Sequence, residues 1–253
     1  ASLAPSEMCI RDRVDYLIRN GANVDAEDYY GRRALHWVAQ HDHWITLQPL
    51  IAHGADIHAK DHWSRTPLMC AVEWENQAIA KSLLDLGADI ESKARDESTP
   101  LHTASLNGDY EMVSLLLQRG ASIEARTRKD FRPLHVAALF GWEEVVQLLL
   151  EKDDNVDAET EPFAADDGAC GDDEGMRDSF MDEDGVSMDD WTNEAPLCVE
   201  DCIRERLFED EKETGAPRSW TAQQLAISSK SEEVQELLAS ASRARKAQID
   251  LTG

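Results

Sequence analysis

Histidines are the residues of this 253-residue chain best suited to acid–base catalysis or metal binding, and there are eight of them. Three of these, His36, His102 and His135, each follow a leucine and lie 66 and 33 residues apart, with Met69 at the intervening position. A catalytic histidine needs partner groups that occur at one place, whereas a histidine that belongs to a repeating scaffold recurs with the scaffold. We therefore interpret these three histidines as structural.

The other five histidines fall within residues 41–62, and two of them, His58 and His62, are four residues apart. On a helix that spacing would place two zinc ligands on one face. The repeat described below places them on an extended segment instead, and no nearby cysteine or carboxylate completes a ligand set. Cys198 and Cys202 are also four apart, but no histidine lies near them in the sequence. We predict neither a metal site nor another cofactor.

Sequence motifs of common enzymes are absent. No glycine-rich phosphate loop occurs, and "GVSMD" at 185–189 lacks the second glycine of a nucleophile elbow. The acidic stretch "DEDGVSMDD" suggests a calcium loop. With Gly185 at its sixth position, however, the first and twelfth ligands would be Phe180 and Trp191. We predict that the protein is not an enzyme.

The charge distribution limits the class of partner. The formal net charge is −26, and residues 153–213 alone carry 24 acidic and 4 basic side chains. A protein of this charge repels the phosphate backbone, which argues against a nucleic-acid partner. No apolar run approaches the length of a membrane span, and the five cysteines are scattered without a disulfide framework. These features predict an intracellular protein that binds neither nucleic acid nor membrane.

A unit of 33 residues recurs along the first 162 residues of the chain. A partial unit at 13–30 precedes full units at 31–63, 64–96, 97–129 and 130–162. Two series of residues spaced by 33 mark the units, namely Leu35, Leu68, Leu101 and Leu134, and Gly21, Gly54, Gly87 and Gly120.

The residues of one unit predict two helices and an extended finger. In the unit 97–129, Thr99 is a good N-cap, and Pro100 suits the first helical position, where no backbone N–H is needed. Gly108 suits the turn to a second helix with apolar residues at helical spacing, and a finger, "GASIEAR", follows. Because one unit cannot bury both helix faces alone, the units must stack into a solenoid.

The period of 33 and the start "TPLHTA" at 99–104 resemble the ankyrin repeat family. The resemblance covers residues 14 to about 160 and returns weakly at 218–246. It implies an all-α ankyrin-repeat solenoid of paired antiparallel helices with extended, β-hairpin-like fingers. It also implies that the histidine of the motif bonds the backbone of the adjacent finger.

Residues 1–12 do not fit the repeat, which begins in mid-unit with a second helix from Val14. The stretch Met8–Asp12 resembles a translated sequencing adapter. We therefore expect residues 1–12 to be a non-native leader fused to a truncated coding sequence, with more repeats or another domain upstream in the native protein.

An acidic insertion separates the last full repeat from a degenerate one. Its high net charge and few bulky apolar residues predict disorder over 161–195. The degenerate unit has Gln223 and Gln224 where the repeat has leucine and histidine, and this polarity suits a C-terminal cap. The predicted segments are the largely disordered insertion at 163–214 with a helix over 197–212, the capping repeat at 215–246 and a tail at 247–253.

In the ankyrin family, the finger tips and the outer side of each first helix form a concave surface, here called the concave face. Its residues in this chain are mainly aromatic and basic, a composition found at the centres of protein interfaces. We predict a non-enzymatic, monomeric module that binds a protein partner on this face. The residues expected to bind are Tyr29, Tyr30, Arg32, His41, His62, Trp63, Arg65, Trp74, Arg95, Leu106, Arg128, Lys129, Phe131 and Phe140.

Three alternatives qualify this prediction. Trp63 and Trp74 could merely cover neighbouring fingers. The chain could also be the ankyrin segment of a larger enzyme or channel whose catalytic or membrane part is missing. Finally, the arginines of the concave face lead us to expect that the acidic insertion covers this face transiently, by charge attraction, and competes with the partner.

Overall fold

The computed structural model describes residues 10–152, 158–160, 198–214 and 219–252. Twelve helices and no strand lie in these ranges, and Glu159 and Thr221 form an isolated antiparallel bridge. The helices are α1 (Ile10–Arg19), α2 (Ala34–Gln40), α3 (Trp44–Ala52), α4 (Pro67–Glu73), α5 (Gln77–Asp85), α6 (Pro100–Asn107), α7 (Tyr110–Gln118), α8 (Pro133–Phe140), α9 (Glu143–Leu150), α10 (Val199–Thr214), α11 (Ala222–Ser228) and α12 (Glu232–Thr252).

The helices form pairs, and each pair packs against the next. The pairs are α2 with α3, α4 with α5, α6 with α7, α8 with α9, and α11 with α12. The first helices contact one another in the order α2, α4, α6, α8 and α11, so α10 is not a member of the stack. The predicted all-α repeat solenoid is confirmed.

Local sequence explains where the helices begin. Thr66 accepts the backbone N–H of Met69 at 3.4 Å, and Pro67 is the first residue of α4. At the start of the second helix α7, Asp109 accepts the backbone N–H of Met112 at 3.0 Å. These side chains satisfy N–H groups that have no acceptor within the helix.

Alanines and leucines at fixed positions of the repeat build the core. Ala71, Ala104 and Ala137 are fully buried, and their small side chains let consecutive first helices approach closely. Leucines three residues earlier fill the space between the pairs, and burial of each contributes roughly 1.5–3 kcal/mol. These leucines, exposed by 1% or less, are Leu68, Leu101 and Leu134.

Two turn positions in every repeat adopt a left-handed backbone, whatever residue occupies them. After the first helix, with φ between 53° and 78°, the residues are Asp42, Glu75, Gly108 and Gly141. At the finger, with φ between 62° and 72°, they are Gly31, Ser64, Glu97 and Asp130. A non-glycine residue in this conformation carries a strain of about 1–2 kcal/mol. The packing of the repeats therefore determines these turns more than the residue type does.

The last helix pair of the given sequence packs on α8 and α9 and has the features predicted for a capping repeat. The backbone N–H of Thr221 donates to the side-chain oxygen of Gln224 at 2.8 Å, so the glutamine does locally what the histidine does in full repeats. Gln223 is exposed, whereas the equivalent leucines of the full repeats are buried. The polar outer side is what a capping repeat requires.

The helix of the acidic insertion, α10, lies where the sequence predicts a helix over 197–212. It packs against the first helices α6 and α8. The disorder predicted over 161–195 concerns residues outside the described ranges. At the other end, α1 begins at Ile10 and so includes part of the segment 1–12, whose non-native origin stays a prediction.

Candidate binding face

The three repeat histidines join each first helix to the next repeat. In His102, Nδ1 lies 3.1 Å from the backbone nitrogen of Thr99, and Nε2 lies 2.9 Å from the main-chain oxygen of Phe131. His36 and His135 make the same pair of bonds at 2.9–3.1 Å. Because Nδ1 accepts an N–H, the ring proton is on Nε2, which donates to the carbonyl. The structural interpretation of these histidines is confirmed.

Burial favours the neutral form of two of these imidazoles, those of His36 and His102. It lowers the pKa of His102 to about 4 and also lowers the pKa of His36 below its ordinary value. Both nitrogens of each ring are engaged with the backbone, so neither is left for a substrate or a metal ion.

The remaining histidines do not converge on one point. His58 and His62 are exposed on a finger, and His53 bonds the carboxylate of Asp15 at 3.0 Å. Across the described ranges, no group of three or more His, Cys, Asp or Glu side chains is arranged to hold a metal ion.

The N-terminal half of the concave face carries stacked aromatic rings. Tyr30 stacks on Trp63 of the next finger, with ring centroids 5.5 Å apart and 28° between the planes. Tyr29 meets Tyr30 edge-on. Trp63 thus does cover a neighbouring finger, as one alternative expects. Tyr29 and Trp74, however, are 53% and 40% exposed, so they present aromatic surface to the solvent.

Exposed polar side chains, two of them arginines, follow the same line of fingers. Backbone hydrogen bonds of 2.9–3.0 Å join each finger to the next, from His62 to Tyr30, from Arg95 to Trp63, and from Arg128 to Asp96. His62, Arg95 and Arg128 themselves are exposed. These hydrogen bonds between fingers therefore place the three side chains at regular intervals along one edge of the concave face.

Arg32 and Arg65 are each only 8% exposed, which corrects the expectation that they face a partner. Nε of Arg32 donates to Asp28 at 2.9 Å. Arg65 pairs with Asp61 at 2.8 Å and with Glu73 at 2.6 Å. In both fingers the neutralising aspartate lies four residues before the arginine, and the turn folds it back onto the guanidinium. These two cations stabilise their own fingers.

Trp37, which the sequence does not single out, organises the first finger and helix. Its Nε1 donates to Asp28 at 3.2 Å, and the guanidinium of Arg32 lies 4.2 Å from the centroid of its ring. His41, one of the predicted binding residues, stacks on the indole with ring centroids 5.2 Å apart and is exposed. Burial lowers the pKa of His41, and His43 and Arg32 lower it further.

The C-terminal half of the concave face is covered by α10. Leu106 is 7% exposed and Phe131 is fully buried, which corrects the expectation that both face a partner. Phe140 is half-buried against the same cluster. The sequence places these residues on the concave face, but it does not show that another part of the chain covers them. The buried residues of α10 in this cluster are Val199, Ile203 and Leu207.

Polar contacts fix the start of α10. Glu200 accepts the backbone N–H of Lys129 at 2.8 Å, and its own N–H donates to Asp96 at 3.3 Å. The thiol of Cys198 lies 3.4 Å from the same aspartate. In the described residues, apolar packing and hydrogen bonds at the first turn of α10 hold this helix on the concave face. The expected attraction between the acidic insertion and the arginines stays a prediction, because most of the insertion lies outside the described ranges.

The repeat architecture agrees with the comparison with known protein families. The family model of ankyrin repeats, in three copies, matches residues 6–94 and 91–160, which together make up more than half of the chain. The chain belongs to the ankyrin repeat family. A search of the curated proteins found no match.

Ankyrin repeats are generally protein-interaction modules and are typically non-catalytic. In this ankyrin chain the match begins at residue 6 and ends before α10, so the helix on the concave face lies outside the matched residues. None of the described helices is long and apolar enough to cross a membrane.

Proposed function

We propose that this chain is a non-enzymatic interaction module that binds a protein partner on the N-terminal half of the concave face. The observation that carries the proposal is the stack of Tyr30 on Trp63, with exposed Tyr29 beside it and exposed Trp74 at the end of α4. Aromatic side chains supply much of the binding energy of protein interfaces, because they bury a large area at little cost in side-chain entropy.

The charges around the rings indicate the chemistry of the partner. Arg95 and Arg128 are exposed, while Arg32 and Arg65 are already neutralised inside their fingers. A partner that presents carboxylates beside apolar side chains matches this surface, and complementary charge would speed its association. The proposed contact residues are Tyr29, Tyr30, His41, His62, Trp63, Trp74, Arg95 and Arg128, with Lys129 and Phe140 at the border of α10.

We further propose that the protein acts inside the cell and as a monomer. Cys70 and Cys202 form no disulfide in the described residues, and the cysteine spacing of the chain lacks the pattern of a secreted disulfide framework. These observations support a reducing compartment.

The experiment compares two tryptophan variants of the full chain. Trp63→Ala with Trp74→Ala removes aromatic surface from the concave face. Trp44→Ala removes a tryptophan that is 65% exposed on α3, outside that face. Each immobilised chain is used to capture proteins from a lysate, and the affinity of a captured protein is then measured by calorimetry. We expect the double variant to bind at least about tenfold more weakly and Trp44→Ala to bind like the parent.

Thermal melting of both variants checks that the stack is intact. A captured protein that binds the double variant as tightly as the parent would show that the aromatic half of the concave face is not its site.

A further inference from the structure

The concave face changes from charged to apolar along the stack. Positions equivalent to Arg32 hold Arg65, Ser98 and Phe131 in the next three repeats. Positions equivalent to Gln40 hold Glu73, Leu106 and Leu139. The last two full repeats thus form an apolar groove, defined here by Leu106, Phe131, Val136 and Leu139, which belong to the same buried cluster as the apolar residues of α10.

The fingers change in the same direction. Asp28 and Asp61 accept the backbone N–H of Tyr30 and of Trp63, each at 2.9 Å. The equivalent residues of the next two fingers, Ala94 and Thr127, have no carboxylate. At the last of these fingers Glu200 of α10 takes the place of the aspartate, because it accepts the backbone N–H of Lys129.

The docked side of α10 has a simple pattern. Val199, Ile203 and Leu207 are spaced by four residues, so they form one stripe along the helix, and each is at most 3% exposed. Glu200 stands beside the first of them and makes the polar contact. The apolar stripe therefore packs into the groove, and the carboxylate of Glu200 accepts a backbone N–H of the finger.

We infer that the apolar groove is a binding site for an amphipathic helix, that α10 is its internal occupant, and that a partner helix of the same pattern competes with α10 for it. The pattern is a branched apolar residue at i, i+4 and i+8 with a carboxylate at i+1. The inference goes beyond the proposed function, since it assigns a second class of partner to the C-terminal half of the concave face.

The packing of the stack supports replacement of α10. The buried cluster that joins the helix pairs includes Leu68, Leu101 and Leu134 but none of the α10 residues whose side chains the structure describes. The groove and α10 belong to a separate cluster, which Trp220 and Leu225 complete from the C-terminal cap. The helix pairs therefore keep their shared core when α10 leaves.

The short connection between α10 and the capping repeat determines how strongly α10 competes with a partner helix for the groove. Only residues 215–218 separate α10 from Ser219 of the capping repeat. A short connection of this kind gives a local concentration in about the millimolar range. A separate helix that binds the empty groove with micromolar affinity therefore meets strong competition in the parent chain.

The test uses the segment itself as the probe. A fluorescent peptide of residues 198–214 is titrated by anisotropy against the full parent chain and against the full chain carrying Ile203→Asp and Leu207→Asp, which disables the internal helix. We expect the peptide to bind the variant at least about tenfold more tightly than the parent, because the groove of the variant is empty. Equal affinity for the two chains, or no binding to the variant, would overturn the inference.

Two controls locate the binding. A peptide with the same two aspartates should bind neither chain, whereas a peptide with Glu205→Gln, changed on the exposed side of α10, should bind like the original. Leu106→Gln in the variant chain places in the groove the residue that position 40 already has, and it should weaken binding at least about fivefold. Unchanged binding to Leu106→Gln would show that the peptide binds elsewhere.

Circular dichroism and melting show whether the variant keeps the stack. If the two aspartates prevent folding, Val199→Ala with Ile203→Ala weakens docking without adding charge and serves as the variant chain. The peptide experiment needs no external partner. A failure of the tryptophan experiment with a positive peptide result would therefore refute the proposed aromatic site and leave the helix-binding groove standing.

Discussion

His102 donates from Nε2 to the main-chain oxygen of Phe131, 29 residues later and at 2.9 Å. Its Nδ1 accepts the backbone N–H of Thr99 at the start of α6. One neutral ring thus caps its own helix and holds the next repeat in place. A second proton on Nδ1 would remove the acceptor and put a charge in the core.

This geometry makes the stability of the fold depend on pH. Burial lowers the pKa of His102 to about 4, below the ordinary value of 6.5, so the unfolded chain binds more protons between these values. The free energy of unfolding should therefore rise with pH across that window, with the full contribution present above 6.5 and lost below about 4. The contribution is at most about 3 kcal/mol. Urea unfolding at several pH values measures it.

His102→Gln isolates the contribution of the ring. Glutamine can accept the N–H of Thr99, as Gln224 accepts that of Thr221, but it does not titrate. The variant should be less stable at neutral pH and should lose part of the pH slope, while His58→Gln, changed at an exposed site, should keep it. An unaltered slope in His102→Gln would assign the pH dependence to other groups.

Two glycines with the same backbone conformation should respond differently to alanine. Gly108 and Gly120 have φ of 74° and 91°, so either substitution strains the turn by about 1–2 kcal/mol. A Cβ at Gly120 meets open space, whereas one at Gly108 overlaps the indole of Trp142. We therefore expect Gly108→Ala to cost at least about 3 kcal/mol and Gly120→Ala about 1 kcal/mol in denaturant unfolding. Equal costs would show that Trp142 moves aside freely.

The buried ion group of Arg65 should be sensitive to the loss of one member. Arg65→Met leaves the carboxylates of Asp61 and Glu73 buried without their cation, which should cost about 3–5 kcal/mol at neutral pH. Urea unfolding of the parent and of Arg65→Met at neutral pH measures the loss.

The last full repeat offers a matched control for this group. Its residues at the three equivalent positions are Thr127, Phe131 and Leu139. Changing Asp61→Thr, Arg65→Phe and Glu73→Leu together removes the charges as a set, so the triple variant should be more stable than Arg65→Met alone. A triple variant that is less stable would mean that the charges do more than neutralise one another.

Much of the fold can be predicted from the sequence, because the same local sequence features recur in each repeat. The positions of the first helices, the N-cap positions of Thr66 and Thr99, the core alanines and the linking histidines all come from the 33-residue register. The left-handed turns at Glu75 and Glu97 do not follow from residue type. They come from the packing of neighbouring repeats, and local propensity does not report that packing.

The binding face follows from the sequence only in part. Register places Arg32, Arg65 and Phe131 on the concave face, but burial depends on what lies against each side chain. Asp28 and Asp61 fold back onto the two arginines, and α10 arrives from 71 residues further along to cover the finger at Lys129. The spacing of Val199, Ile203 and Leu207 shows in the sequence that α10 has an apolar side. The sequence does not show where that side docks, because the docking joins residues that are far apart in the chain.

The contact of α10 with the groove should survive high salt, and the thiol of Cys202 can report on it. Burial raises the pKa of this thiol to about 11, helped by the charges of Glu205 and Asp201, so at about pH 8 its thiolate is roughly a hundredfold rarer than that of an exposed cysteine. In a chain with Cys9, Cys170 and Cys198 changed to serine, Cys70 is the only other thiol, and burial raises its pKa to about 12. Labelling by a thiol reagent then measures Cys202 alone.

Because Ile203 and Leu207 hold α10 by apolar burial, raising the salt from about 0.05 M to about 0.5 M should change the labelling rate less than about threefold. Adding Ile203→Asp and Leu207→Asp should raise the rate at least about tenfold at both salt concentrations, since the thiol then reaches solvent. If charge attraction held α10, the labelling rate of Cys202 in the parent chain would instead rise steeply with salt. That outcome would contradict apolar docking of the helix.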